Sequence, residues 1–484
     1  MVKHNTNRKM LAAPISEIDR TRVPPISAEV ERPTKIRQPV PLSPVWRLNA
    51  LQVLMRRWSR FGPYVAGQVL RFRGTPHRRR WEDAATAIVS ESGFGPPHFT
   101  RQDHAVQFAP PSRIAFESVT GPLTDYLNRE LNLSFQDHEL PLRFFLRLGD
   151  DDSYEMGLIY NHWLADSLAI RELLLRISDR YRETEFPATI RLKDAKNRSP
   201  QVWRAPDFHE LFRSHLNSWE FGSALRAAIQ NLIKHASAYR IPLQNSLDFT
   251  TGFLRTTFPA GLIAQLHLRA KDCHVSVNDL FLAVLGQVMS KFTQEGRQQS
   301  WHRKQLGLGL VVDLRGAANV PLKGVFGAYM SLATVVLKDT DQQDTLALAA
   351  QIADHTRRLK QPRERVRSIY GLKSALFASN YLVINNKHRS IFYQLNTPVV
   401  VSLSNVNIRS GWNDPDVLEY SRITPLGPPT PLAFTTTTLG ERANVSVTYR
   451  TTAFQSSQVE TLMREFVAGL VAVADAATVV KSPE

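Results

Sequence analysis

The sequence predicts an α/β protein in which mixed β-sheets, flanked by helices, form two lobes. Three observations carry that expectation. The chain has 484 residues, more than one hydrophobic core comfortably serves. Between Ser153 and His162, Tyr154, Met156, Leu158, Tyr160 and His162 alternate with Ser153, Glu155, Gly157, Ile159 and Asn161, the period of a strand. Directly afterwards Ile170, Leu173, Leu174, Ile177 and Tyr181 recur at helical spacing. The second half repeats the mixture of strand and helix without a repeat by sequence identity.

Composition narrows the class. Hydrophobic residues make up 43% of the chain, enough for two cores. Cys273 is the only cysteine, which excludes an intramolecular disulfide framework and thiolate clusters for zinc or iron–sulfur, and fits a reducing compartment. There is no charged-then-apolar leader at Met1 and no apolar run near the roughly 18 residues of a membrane span, so a cytoplasmic protein is expected. The net charge of +16, from 60 Lys and Arg against 44 Asp and Glu, favours anionic partners. Basic residues cluster at Arg56-Arg57, Arg78-Arg79-Arg80 and Arg357 to Arg367, with no zinc-finger, RNP-type or helix-turn-helix pattern beside them. That pattern favours solvated faces or an anionic small molecule, acidic carrier or membrane surface over nucleic acid.

Along the chain, residues 1–40 are rich in Lys, Arg, Pro and Thr and are expected as a disordered basic arm. An N-terminal lobe is expected over 41–240. Val45 to Phe61 is apolar and aromatic, Ala66 to Phe72 reads as a strand, and Trp81 to Ser90 as an amphipathic helix. Leu142 to Leu148 and the strand from Ser153 form a hairpin turned by Gly149-Asp150-Asp151-Asp152. Charge and proline dominate Glu183 to Pro206, and Phe208 to Tyr239 reads as a long helical region ended by Ile241-Pro242. A C-terminal lobe is expected over 241–484. In it Val277 to Phe292 is a helix capped by Ser276, with Asp279 three residues on. Leu306 to Val312 is a buried strand ending in Asp313-Leu314-Arg315-Gly316, Phe326 to Leu337 a further strand, and Asp344 to Lys360 a helix. Val399 to Asn405 is a strand, Pro431 to Thr438 and Asn444 to Tyr449 form a hairpin, and Ser457 to Ala474 is the closing helix.

The chemistry gathers where strand gives way to helix, at His162-Trp163-Leu164-Ala165-Asp166. Such a junction places side chains at a sheet edge, where catalytic groups tend to sit. A neutral imidazole there can take a proton from a hydroxyl or amine attacking a carbonyl, without a covalent intermediate. It needs a fixed ring orientation and donors for the oxyanion that develops. Asp166, four residues on, serves either to orient His162 or to brace the turn through a cation from elsewhere; spacing alone leaves both open. His209, His215, His274 and His355 are scattered at no metal-ligand spacing, so no metal site is expected. Gly307 and Gly309 lack the rest of a dinucleotide fingerprint.

The order PLRFFLRL, hairpin, YEMGLIYNHWLADS, helix resembles the condensation-domain and coenzyme A-dependent acyltransferase superfamily, whose signature at this junction is HHxxxDG. Val277 to Ala283 is similar to its second-lobe helix, Val311-Val312-Asp313-Leu314-Arg315 to its second-lobe strand and arginine, Phe326-Gly327-Ala328-Tyr329 to its glycine-asparagine segment with alanine in place of asparagine, Ser404-Asn405-Val406 to its late strand, and Val445 to Phe466 to its ending. The resemblance spans the chain from about Pro41. It implies two chloramphenicol-acetyltransferase-like lobes with a tunnel between them. His162 stands where the catalytic histidine does, and Asp166 where the motif aspartate pairs with the arginine matched here by Arg315.

Two positions depart from the motif: Asn161 replaces its first histidine and Ser167 its glycine, where a required positive φ would strain a serine. Ser402, Ser404 and Asn405, with Asn161 and Ser167, are the candidates to line the tunnel. The resemblance implies an acyltransferase acting on a thioester donor, acyl-CoA or an acyl carrier protein supplied in trans, and a hydroxyl or amine acceptor. No permanently bound cofactor is implied, and the chain is expected as a monomer with a peripheral membrane contact left open. Two rival readings use the same letters. A non-catalytic condensation-like domain would bind donor or carrier without turnover. Asp166-Ser167-Leu168 with Glu172-Leu173 imitates a phosphopantetheine attachment site, but it follows an alternating hairpin rather than lying in a small helical bundle.

Overall fold

The computed structural model describes residues 42–100, 103–149, 151–183, 202–203, 235–318, 322, 325–338, 340, 343–396, 399–408, 412 and 414–476. The arm expected at 1–40 and residues 208–234 of the expected helical region lie outside the described residues. In chain order the elements are β1 (Trp46–Arg47), α1 (Ala50–Trp58), β2 (Val65–Arg73), α2 (Arg78–Glu91), β3 (Pro97–Phe99), β4 (Ala105–Phe108), β5 (Phe116–Val119), α3 (Leu123–Glu130), β6 (Leu142–Leu148), β7 (Ser153–Asn161), α4 (Ser167–Glu183), β8 (Val202–Trp203) and β9 (Thr251–Thr257). There follow α5 (Leu262–Asp272), α6 (Val277–Gln299), β10 (Leu306–Asp313), β11 (Val325–Phe326), β12 (Met330–Leu337), α7 (Thr345–Leu359), α8 (Pro362–Tyr381), α9 (Asn386–Asn396), β13 (Val401–Ile408), β14 (Val417–Ile423), β15 (Leu432–Leu439), β16 (Arg442–Arg450) and α10 (Ser456–Asp475).

Two mixed sheets organise these elements. The first runs β14-β2-β7-β6-β5 and the second β12-β10-β13-β15-β16-β9. β5 and β6 are parallel and the rest of the first sheet antiparallel. In the second sheet β13 is parallel to both its neighbours. The α/β reading therefore holds, with helices packed on each sheet. On the first, Trp81 of α2 stacks on Tyr181 of α4 (ring centroids 4.0 Å apart), and Phe72 and Tyr154 stack beneath them. On the second, α6 and α10 meet through Phe281 and Phe466, which also contacts Phe434 of β15.

Strand β14 is the link that sequence pattern did not reveal. It lies late in the chain, yet it pairs along β2 in the first sheet, with Tyr420 opposite Leu70 and Arg422 opposite Gln68. Its sequence, Val417-Leu418-Glu419-Tyr420-Ser421-Arg422, carries too many polar groups to read as a buried strand. β7 shows the converse effect. It is buried along its whole length, because α2 and α4 cover one face while Phe145, Tyr126 of α3 and Phe253 of β9 cover the other. Sealing both faces leaves no room at Gly157, where an added Cβ would lie 2.0 Å from Phe145 Cζ. Gly157→Ala is therefore expected to cost at least about 1–3 kcal/mol through overpacking, read as a lowered unfolding midpoint.

The expected strand from Phe326 to Leu337 is in fact two, β11 and β12, interrupted at Gly327–Tyr329. The reason is that these backbone groups are used elsewhere. Gly327 O accepts from Asp166 N (3.2 Å) and Tyr329 N donates to Asp166 Oδ2 (2.7 Å). The basic stretch Arg357 to Arg367 is likewise divided, at Lys360-Gln361, with Pro362 opening α8 at the position where its missing N–H costs nothing. Ser276 and Asp279 do form a reciprocal capping box at the start of α6.

Candidate active site

β7 ends at Asn161 and delivers His162 to the sheet's edge. The backbone there is fixed from both sides: His162 N donates to Tyr64 O (3.1 Å), and Leu164 N to Asn161 O (3.1 Å), which closes a tight turn. The imidazole is 6% exposed. Its Nδ1 lies 2.9 Å from Ala165 O. A carbonyl oxygen can only accept, so Nδ1 carries the proton and Nε2 holds a free lone pair. Nε2 has no hydrogen-bond partner among the described residues. The Tyr64 ring stacks on the imidazole at 5.6 Å and 27°, and Tyr160 meets it edge-on at 5.7 Å, so the ring plane is held. Burial pushes the His162 pKa below its ordinary value, with the Ala165 carbonyl and then Asp166 pulling the other way. Burial thus favours the neutral imidazole, and the Ala165 carbonyl selects its Nδ1–H tautomer.

Among the described residues Asp166 makes no hydrogen bond to the ring. Its Oδ1 accepts from Ala169 N (2.9 Å), capping α4, and from Arg315 Nη2 (3.1 Å). Its Oδ2 accepts from Arg315 Nη1 and from Tyr329 N, both at 2.7 Å. The carboxylate thus takes four hydrogen bonds and a bidentate guanidinium, which joins the turn after β7 to the segment after β10 and to the β11–β12 link. Of the two roles left open by spacing, the geometry is that of a brace. Arg315 also lies 3.4 Å from Asp313, which is half exposed.

Ser167 opens α4 and does not have a positive φ, so serine is unstrained where the motif has glycine. Its Oγ accepts from Arg422 Nη1 (3.1 Å) and from Gln68 Nε2 (3.4 Å), and Gln68 Nε2 donates to its carbonyl as well (2.8 Å). Arg422 also reaches Ser404, donating to Oγ and to the carbonyl (both 3.1 Å), and bonds Thr436 O and Thr437 Oγ1. Ser404 and Ser167 are therefore brought together by a cation 3% exposed whose hydrogen bonds among the described residues all end on neutral oxygens. Burial pushes the Arg422 pKa down to about 10, the Tyr420 and Tyr160 phenols opposing it. Ser167→Gly is expected to cost about 1 kcal/mol for the lost hydrogen bonds and to relieve no strain, which an unfolding titration checks.

The other candidates divide by face. Ser402 lies on the same side of β13 as Ser404 by strand alternation and is half-buried. Asn405 is on the opposite side, accepting from Thr436 Oγ1 (2.8 Å). Asn161 is buried, opposite Val65 in the sheet and 3.4 Å from Ser59 Oγ. Sequence reasoning missed Tyr64, Gln68 and Arg422. Tyr64 and Gln68 carry no local signal, whereas a charged residue at a position that pairs inside a sheet would have exposed Arg422 had β14 been recognised. Among the described residues no group of three or more His, Cys, Asp or Glu is placed to hold a metal ion, and no helix is long and apolar enough to cross a membrane.

This two-lobed arrangement is the fold of condensation domains and of acyltransferases built on the same plan. The chain is similar over 90% of its length to the condensation domain of the monacolin K polyketide synthase (98% of that chain, 10% identity, TM-score 0.64). It is similar over 89% to a trichothecene 15-O-acetyltransferase from Fusarium sporotrichioides (95% of that chain, 11% identity, TM-score 0.65). The X-domain from teicoplanin biosynthesis, also solved in complex with OxyB, matches over 89% (95% of that chain, 15% identity, TM-score 0.57). No family model and no curated protein sequence matches.

Proposed function

We propose that the protein is an acyltransferase, moving an acyl group from a thioester donor, acyl-CoA or an acyl carrier protein, to a hydroxyl or amine acceptor. The observation that carries this is the buried His162 ring, whose Nδ1 lies 2.9 Å from the Ala165 carbonyl and whose Nε2 has no hydrogen-bond partner among the described residues, with burial favouring its neutral form. In the step itself the acceptor's oxygen or nitrogen forms a bond to the thioester carbonyl carbon while its proton passes to Nε2. The tetrahedral intermediate then breaks its C–S bond, and the proton moves from Nε2 to the departing thiolate. The hydroxyl of Ser404, polarised by Arg422, is the group we assign to the developing oxyanion. A passage between the lobes that admits donor and acceptor to Nε2 belongs to the same reading. The acetyltransferase among the structural neighbours supports the chemistry.

The rival, a domain that binds donor or carrier without turnover, is favoured by Asn161 and Ser167 in the motif and by the complex formed by the X-domain neighbour. Thiol release from a panel of acyl-CoA and acyl-carrier donors, with alcohols and amines as acceptors, separates the two. Release by the wild type that His162→Ala loses supports transfer. No release from any pair, together with binding of a donor or carrier, supports the rival.

A further inference from the structure

We infer that the junction between α8 and α9 is a docking surface for an anionic lipid bilayer. Phe377 and Tyr381 lie one helical turn apart on α8, their rings 4.6 Å apart, and Leu382 and Ile384 follow in the link to α9. All four are exposed, Leu382 at 74% and Ile384 at 90%. Both helices are anchored on their other side. Leu372, Leu376 and Phe392 pack on the first core, Tyr393 meets Trp58 edge-on, and Arg57 bonds Asn380. The apolar residues are thus held outward by a fixed base.

Charge decides the occupant. From Arg365 through Asn413 the sequence holds no aspartate or glutamate, while Lys373 and Lys387 flank the apolar group and are exposed. Lys373 shares the helical face of Phe377 and Tyr381 by its four-residue spacing. Side chains as free as Ile384 stand clear of the protein instead of lining a flat patch, which suits insertion among lipids more than a protein interface. Apolar insertion with lysines at headgroup level is the pairing that holds peripheral proteins on anionic membranes. The net charge of +16 adds long-range attraction. This surface does not depend on the acyl-transfer reading.

Sedimentation of the full chain with phosphatidylcholine vesicles, and with vesicles containing phosphatidylglycerol as well, tests it. The wild type is expected to pellet with the anionic vesicles and to be released by salt. Phe377→Ser/Leu382→Ser/Ile384→Ser should weaken partition roughly a hundredfold, and Lys373→Gln/Lys387→Gln roughly tenfold. Ile384→Ser alone should show a smaller loss, and because it touches almost nothing in the fold its result stands if the triple variant melts early. Wild type left in the supernatant with both vesicle types, or a triple variant that binds as well as wild type, overturns the inference. So does a concentration-dependent dimer that the triple variant abolishes, since a second copy would then own the surface.

Discussion

Asp166→Asn is expected to lower the unfolding free energy by about 3–5 kcal/mol and to remove most turnover with it, and Arg315→Ala should do the same. The two side chains are 5% and 14% exposed. Removing Arg315 leaves the Asp166 charge buried without its cation, and removing the Asp166 charge leaves Arg315 with only the longer contact to half-exposed Asp313. An asparagine at 166 keeps one oxygen for Ala169 N, Tyr329 N and two guanidinium donors, and it turns an amide N–H₂ towards one of them. The loss reaches beyond one ion pair, because this carboxylate caps α4 and ties β11–β12 to the turn that carries His162. Turnover should therefore fall although, among the described residues, neither side chain hydrogen-bonds the imidazole. Denaturant titration of both single variants and the double variant checks the coupling: the double should cost clearly less than the two singles added. Additive costs, or full activity with an unchanged midpoint in either single, would refute the brace.

What sequence revealed and what it hid divide along a physical line. Short-range periodicity exposed β6, β7 and α4, because each buries a repeating face against its neighbours, and the junction between the two periods marked His162. Ser276 and Asp279 were legible as a cap because capping is a local event. The pairs that finish the site were not. Arg422 meets Ser167 and Ser404 across three elements, and its strand joins the first sheet from the far end of the chain. Tyr64 stacks its ring on the imidazole and accepts from the His162 backbone N–H through its carbonyl, from a position before β2 that carries no pattern. Phe326 to Leu337 reads as one strand because its side chains suit a sheet throughout. What breaks it is the demand of Asp166 for backbone groups, and a side-chain pattern does not carry that demand.

The cation at Arg422 bears on how the site responds to charge. Among the described residues no carboxylate bonds it, and its hydrogen bonds end on Ser167, Ser404, the Thr436 carbonyl and the Thr437 hydroxyl. A buried positive charge of this kind raises the electrostatic potential around both serines, and it favours negative charge that develops near them during reaction. The Asp166–Arg315 pair, by contrast, is internally neutral and holds position. Among the described residues the site thus separates a structural charge that is paired from a charge that has no carboxylate partner.

His162→Ala should leave the fold intact and lower kcat/KM by about 10²–10⁴, the usual range for a positioned base. Truncation leaves Tyr64 and Tyr160 without a ring to pack on, so His162→Gln serves as the control for packing; it should fold normally and remain inactive. The pH profile distinguishes a base from a spacer. Burial lowers the His162 pKa, so the fall in kcat/KM on acidification should be centred below the ordinary imidazole value of about 6.5. The sign is fixed by the role: protonating Nε2 removes the lone pair, and activity drops as pH falls. Stability should follow in the same direction. Below about pH 6.5 the unfolded chain takes up a proton that the folded chain refuses until its lower pKa, so unfolding becomes easier across that interval and the penalty then levels off. An activity limb centred above the ordinary value, or one that persists unchanged in His162→Gln, would assign the titration to another group and take the base role away from this imidazole.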